Sequence, residues 1–288
     1  MVSRRKKRRK LKKTIKRILI AIPVLVIIVL ILVYGFQLKT VGYTSDLNQF
    51  TAQEVQDYLK EHKVKNTLWF WLESVIGQKE EIAMLEDYTV SINSPVKVTV
   101  HGKEKKLRSC IQYAENYFYM DSKGIVQKNE PCSYIETKKK KKKLLPNSLG
   151  VIPYTNVEVE EVVFYQKLKT KSPEGLEGIV RMTDAFDAMS VALDKAKEQY
   201  PGLKEPTVEK VYFSKDYDIT LFLQGGLKVA LGKDNQLKEK MEDFIDIYGS
   251  TYEQLTKYQG TLQMQWISED ASYTFIKDEV KKEKKKKK

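Results

Sequence analysis

Residues 223–244, LQGGLKVALGKDNQLKEKMEDF, set Gly225, Gly226 and Gly232 ahead of Lys233, a pattern that invites a phosphate-binding reading. A phosphate-cradling loop needs G-x-x-x-x-G-K-[ST], because backbone N–H groups hold the phosphates and the final hydroxyl reaches a metal ion. Counting back from Gly232, the first glycine would fall at Leu227, and the hydroxyl position is Asp234, whose carboxylate repels phosphate. The stretch reads instead as two turns around a strand. His62 and His101 are the only histidines, and neither has a partner at helical or strand spacing. That count leaves no room for a three-histidine zinc site and little for a histidine-based triad. Asp184, Asp187 and Asp194 lie on or beside one helical pattern and read as its solvated face. Cys110 and Cys132 form no C-x-x-C. In an oxidising compartment they could close a loop worth about 3 kcal/mol in the chain-entropy model, and two separate free thiols fit equally well. No nucleophile, base or metal set emerges, so the expected class is non-catalytic, without cofactor or metal.

The elements that would carry such residues begin with charge. The chain has 288 residues and a formal charge of +13, but the positive charge is confined to runs. Residues 4–17 hold eleven basic residues, Lys138–Lys143 are six lysines in a row, and Lys281–Lys288 are interrupted only by Glu283. What remains is mildly acidic, which argues against a general nucleic-acid footprint. Both lysine runs read as solvated loops, with anionic wall polymer as the alternative ligand.

Residues 18–36, ILIAIPVLVIIVLILVYGF, contain no charge. Nineteen helical residues reach roughly 28 Å, close to the hydrocarbon thickness of a bilayer. The pattern from Ile18 through Leu32 to Phe36 therefore predicts one transmembrane helix, with Pro23 near its cytoplasmic end. The cations before it hold the N-terminus in the cytoplasm by the positive-inside rule, placing the remaining chain outside. No cleavage-site pattern follows Phe36, so a removed signal peptide is not expected.

Beyond the span, Thr51-x-x-Glu54 is a capping box, and Phe50 with Val55 completes a hydrophobic staple. Val55, Tyr58 and Leu59 form a helical stripe, and Leu68, Trp69, Trp71, Leu72 and Val75 predict a second short helix. Tyr88, Val90 and Ile92 alternate, a turn follows at Asn93-Ser94-Pro95, and Val96, Val98 and Val100 alternate again. The predicted order is β-α-α-β-β. Farther on, YAENYFYMDSKGIV predicts two strands around Asp121–Gly124. Met182, Ala185, Phe186, Met189, Leu193, Ala196 and Tyr200 predict an amphipathic helix stopped at Pro201-Gly202. Strands are expected at 208–213, 219–223 and 227–231, with Gly225-Gly226 as a two-residue turn. A helix carrying Leu237, Met241, Phe244, Ile245 and Tyr248 follows, then a short helix capped by Ser250-x-x-Glu253 and a strand in TLQMQWI. The fold class is α+β: an N-terminal transmembrane helix, a small β-α-α-β-β domain, and a larger β-rich domain with packed helices.

Taken together, "VGY" after the span, FTAQEVQDYL, NTLWF, YTVSINSPVKVTV and YFYMDSKGIV resemble the FtsQ/DivIB bacterial cell-division proteins. Gly226–Met241 is similar to that family's G-x-x-v-x-[LI]-G-x-x-x-x-L-x-x-K-[LM] segment. The resemblance extends over roughly residues 1–277 and is weakest across 127–180. It implies a basic cytoplasmic tail (1–17), a span (18–36), a POTRA-like domain (37–104) and a β domain (105–277), while the lysine-rich tail (278–288), expected from its composition to be disordered, has no counterpart in the family pattern. It also implies a membrane scaffold at the division septum that holds FtsL-like and DivIC/FtsB-like partners by strand addition. The final strands, Gln259 to Lys277, would carry that contact, with Met264, Trp266, Tyr273 and Phe275 as anchors or as ordinary core.

Overall fold

The computed structural model describes residues 2–136, 142–233, 235–257, 259–264 and 273–278, and side chains from Arg17 onward other than those of Ile18, Lys142, Lys143, Glu253, Thr256 and Lys257. The chain is a mixed α+β protein that divides into two compact units, residues 1–105 and 106–288.

The first unit opens with helix α1 (Val2–Tyr34), which contains Pro23. Among the described residues no helix is long and apolar enough to cross a membrane. Leu32 is exposed on α1, Phe36 is half-buried just past its end, and the side chain of Ile18 lies outside the description. Strand β1 (Thr40–Ser45), helices α2 (Ala52–Glu61) and α3 (Thr67–Ile76), and strands β2 (Leu85–Ser94) and β3 (Lys97–Glu104) follow. β3 is central, parallel to β1 and antiparallel to β2. α2 starts where the local chemistry says it must. Thr51 Oγ1 accepts from Glu54 N–H, and the Glu54 carboxylate accepts from Thr51 N–H. Phe50 and Val55 are both buried beneath this cap, with Tyr58, Leu59, Phe70, Val98 and Val100. The pleat does not bury Ile92, at the frayed end of β2, which is exposed. A buried carboxylate closes the unit: Glu104 accepts from Tyr43 Oη (2.8 Å), Gln49 N–H (2.8 Å) and Phe50 N–H (3.3 Å).

The second unit contains β4 (Ser109–Tyr113), β5 (Asn116–Met120), β6 (Val126–Pro131), β7 (Tyr134–Glu136), β8 (Lys142–Leu144), β9 (Pro153–Thr155), β10 (Val159–Glu161) and β11 (Lys169–Thr170). Helix α4 (Pro173–Gln199), strands β12 (Val208–Phe213), β13 (Ile219–Leu223) and β14 (Leu227–Gly232), and helix α5 (Leu237–Ser250) come next. Helix α6 (Tyr252–Lys257) and strands β15 (Gly260–Gln263) and β16 (Thr274–Lys277) end the described chain. Nine strands form one sheet in the order β16-β15-β14-β13-β12-β9-β4-β5-β6. α4 and α5 pack through Ile179, Met182, Met189, Leu237, Met241 and Phe244 into the core that this sheet supports.

Three local expectations change. The β13–β14 loop has three residues, Gln224–Gly226, closed by Gly226 N–H to Leu223 O (3.2 Å). Both glycines take positive φ, +90° and +91°, which a side chain resists. Ser250 is the last residue of α5 rather than a cap for α6, its hydroxyl donating back to Ile247 O. Lys142 and Lys143 belong to β8, paired with Glu136 and Ile135, because an exposed hairpin arm needs only backbone partners and tolerates lysine.

Candidate functional site

The end of the nine-stranded sheet is built from β14, β15 and β16 over α5. β15 runs parallel to β14 and antiparallel to β16, and β16 has no neighbour on its other side among the described residues. Asp278 N–H donates to Gln259 O at 3.0 Å, which makes 259 and 278 a hydrogen-bonded pair. Such pairs alternate in an antiparallel ladder, so Thr261–Ile276 and Gln263–Thr274 are also bonded. The N–H and C=O of Phe275 and Lys277 therefore point away from β15. Those of Phe275 face the side on which another strand could pair.

Side chains hold that edge strand in place. Gly260 lies under Phe275: a Cβ there would stand 2.6 Å from Phe275 Cζ and 2.5 Å from Ile276 O. Tyr273 Oη donates to the Asp243 carboxylate of α5. Burial and that carboxylate push the Tyr273 phenol up to about 12. Ile276 faces outward and is 52% exposed. Lys228 Nζ reaches Asp278 at 3.2 Å, tying the end of β16 to β14.

The four residues singled out from the sequence separate here. Met264 is fully buried in the core. Tyr273 and Phe275 are half-buried against the same core. Trp266 lies outside the described residues, as do the run 137–141 and the tail 279–288.

The stretch that resembled a phosphate loop is a buttress of this edge. Lys240, fully buried on α5, donates to Leu231 O (2.7 Å), Lys233 O (3.4 Å) and Asn235 Oδ1 (3.4 Å). It fills the space beneath the Gly232 turn with donors. Lys233 points elsewhere, its Nζ 3.5 Å from Asp218. The family-like segment Gly226–Met241 places its lysine at 240, but neither spacing nor composition indicates its burial, since lysine is almost never found fully enclosed unless paired.

The other chemically capable residues are dispersed. Asp187 pairs with Arg108 (2.8 Å), Asp184 with Lys238 (3.7 Å) and Asp194 with Lys197 (3.9 Å), all at the surface. His62 stacks on Tyr58 with its Nδ1 2.9 Å from Tyr58 O. His101 lies between Thr44 Oγ1 and Ser91 Oγ. No group of metal-ligating side chains occurs among the described residues. Cys110 and Cys132 are free thiols. Cys110 lies opposite Tyr119 of β5, while Cys132 N–H donates to Glu115 O at the other end of that strand. Burial, chiefly, with Glu130 nearby, pushes the Cys110 thiol up to about 12.

Among the described residues the site is thus a nine-stranded sheet ending on β16, with two helices packed on it and its acidic side chains dispersed at the surface. The family model for the C-terminal region of the cell division proteins FtsQ and DivIB matches residues 110–264. That is more than half of the 288 residues, and the chain belongs to the FtsQ/DivIB family of cell-division proteins, a non-enzymatic family. No curated protein matches it.

Proposed function

We propose that the protein is a divisome scaffold, anchored by residues 18–36, that holds FtsL-like and DivIC/FtsB-like proteins at the septum outside the membrane. In this reading residues 1–17 are the cytoplasmic tail, 37–104 a POTRA-like domain and 105–277 the partner-holding β domain. One observation carries it: among the described residues a chain of a cell-division family ends its main sheet on a strand, β16, whose N–H and C=O groups at Phe275 face away from β15. A partner strand added there would gain main-chain hydrogen bonds, with Ile276 as an exposed apolar contact. Support for the anchor is the uncharged run from Ile18 to Phe36 behind eleven cations, together with the exposed apolar side chains from Leu19 to Val33.

The test is photocrosslinking in dividing cells, with the crosslinker replacing Ile276 and, as a control, Val191 on the exposed face of α4. Adducts with FtsL-like or DivIC-like proteins at 276 and not at 191 are expected. Equal labelling at both positions would remove the edge from consideration.

A further inference from the structure

Helix α3 has two apolar faces. Thr67 and Phe70 are buried against the domain, Phe70 stacking on Tyr88 at 5.9 Å. At 100° per residue, Leu68, Trp69, Leu72, Val75 and Ile76 share a second arc of about 120° on the other side. Trp69 is 60% exposed, Val75 62% and Ile76 54%. A contiguous apolar patch of this kind is rare on a surface that meets only water.

The start of α3 is tied to the end of α1. Asn66, the N-cap of α3, donates from Nδ2 to Leu32 O (2.8 Å) and accepts from Trp69 N–H at Oδ1 (3.0 Å). Thr67 donates from its N–H to Phe36 O (2.8 Å) and from its hydroxyl to Phe36 O (3.2 Å) and Pro95 O (2.6 Å). A groove of about 900 Å³ opens between the two helices, lined by Leu32, Val33, Lys60, Lys65, Trp69 and Leu72. The exposed face of α3 is thus continuous with the exposed apolar surface of α1. Where the last turn of α1 leaves the hydrocarbon, Trp69 must be beside it.

We propose that this outer face of α3 docks on the bilayer, with Trp69 at the headgroup level, Leu72 and Ile76 against the upper acyl chains, and Lys65 toward lipid phosphates. The inference rests on the reading that α1 spans the membrane. Tryptophan favours the interface because its ring is apolar and its N–H is not, and lysine near the surface gains from anionic headgroups. Such docking would fix the orientation of the first unit relative to the membrane.

The experiment uses the full chain in vesicles of phosphatidylethanolamine and phosphatidylglycerol, with acyl chains unbrominated, brominated near the headgroup, or brominated near the methyl end. Tryptophan quenching is compared between the wild type and Trp69→Phe, an exposed conservative change whose melting transition serves as the folding control. Headgroup-proximal bromine should quench the wild type most strongly, and Trp69→Phe should lose most of that quenching. An unchanged quenched fraction in Trp69→Phe would overturn the proposal and leave the face to a protein occupant. Carbonate extraction of the same vesicles decides the span separately: a chain released by carbonate refutes the anchor, whatever the quenching shows.

Discussion

The ammonium of Lys240 lies 2.7 Å from the carbonyl oxygen of Leu231, the last residue but one of β14, inside a core with no exposed lysine surface. A carbonyl that cannot continue its ladder at a strand end needs a donor, and α5 supplies one. Lys240→Met keeps the apolar stem and removes the donors. Leaving a buried acceptor unmatched costs about 1–3 kcal/mol, so denaturant unfolding should show a loss of about that size. Lys238→Met, which removes only an exposed 3.7 Å contact with Asp184, should change stability by less than about 0.5 kcal/mol.

Glu104 does for the first unit what Lys240 does for the second. Its carboxylate is the shared acceptor for Tyr43 Oη and the N–H groups of Gln49 and Phe50. Glu104→Ala should destabilise this unit by about 3 kcal/mol, given a cost of 1–3 kcal/mol for each buried group left without its partner. Thr51→Ala, which opens the capping box of α2, should cost about 1 kcal/mol. Thermal melts of the two variants should rank them in that order.

Much of this architecture was legible in the sequence. The capping box at Thr51, the strands around Asp121, the amphipathic face from Met182 to Ala196 and the β13–β14 pairing each rest on local chemistry, and local chemistry is what periodicity records. Long-range pairing was not legible. Nothing in PYT, residues 153–155, announces that β9 joins β4 to β12 by two parallel ladders. The candidate edge was half legible. Alternation marked Tyr273 and Phe275, but only the register with β15 reveals which backbone groups of β16 point outward. Apolar character alone could not separate Met264, which is core, from Ile276, which is exposed.

The thiols give a pH-dependent test. Burial raises both Cys110 and Cys132 above their ordinary value of 9.0, Cys110 to about 12. In the folded protein at pH 8, iodoacetamide should modify half-buried Cys132 well before Cys110, as read by peptide mass spectrometry. A thiol whose folded pKa is raised favours the folded state fully below its unfolded pKa. That contribution is lost as the pH rises from about 9 toward 12, because the unfolded chain ionises first. Wild-type stability should therefore fall relative to Cys110→Ala across that interval. The comparison cancels the raised tyrosines Tyr88 and Tyr248, which both proteins share and which do not interact with Cys110.

Gly260 sets how closely β16 can lie on β15. Gly260→Val would drive a side chain into Phe275 and Ile276 O, at 2.6 and 2.5 Å from the first added carbon. Overpacking of this kind costs about 1–3 kcal/mol. Among the described residues β15 is the only strand paired with β16, so the strain should be relieved by local release of residues 274–277. Hydrogen exchange should show lost protection at β15 and β16 with β12–β14 unchanged.

The orientation of the edge hydrogen bonds yields the sharpest test of strand addition. Lys277 directs its N–H outward, while the N–H of Ile276 pairs with Thr261. Lys277→Pro removes an outward donor and leaves the β15 ladder intact, since proline is tolerated at an open edge. Ile276→Pro breaks a bond within the sheet. If a partner strand pairs here, Lys277→Pro should melt like Lys277→Ala, because both changes leave the β15 ladder intact. It should nonetheless lose co-isolation with FtsL-like and DivIC-like proteins, by about tenfold or more, for a hot-spot loss near 2 kcal/mol. Lys277→Ala, which removes the charge and keeps the N–H, should bind nearly as the wild type does. Equal binding by the proline and alanine variants would show that partners do not use this backbone edge.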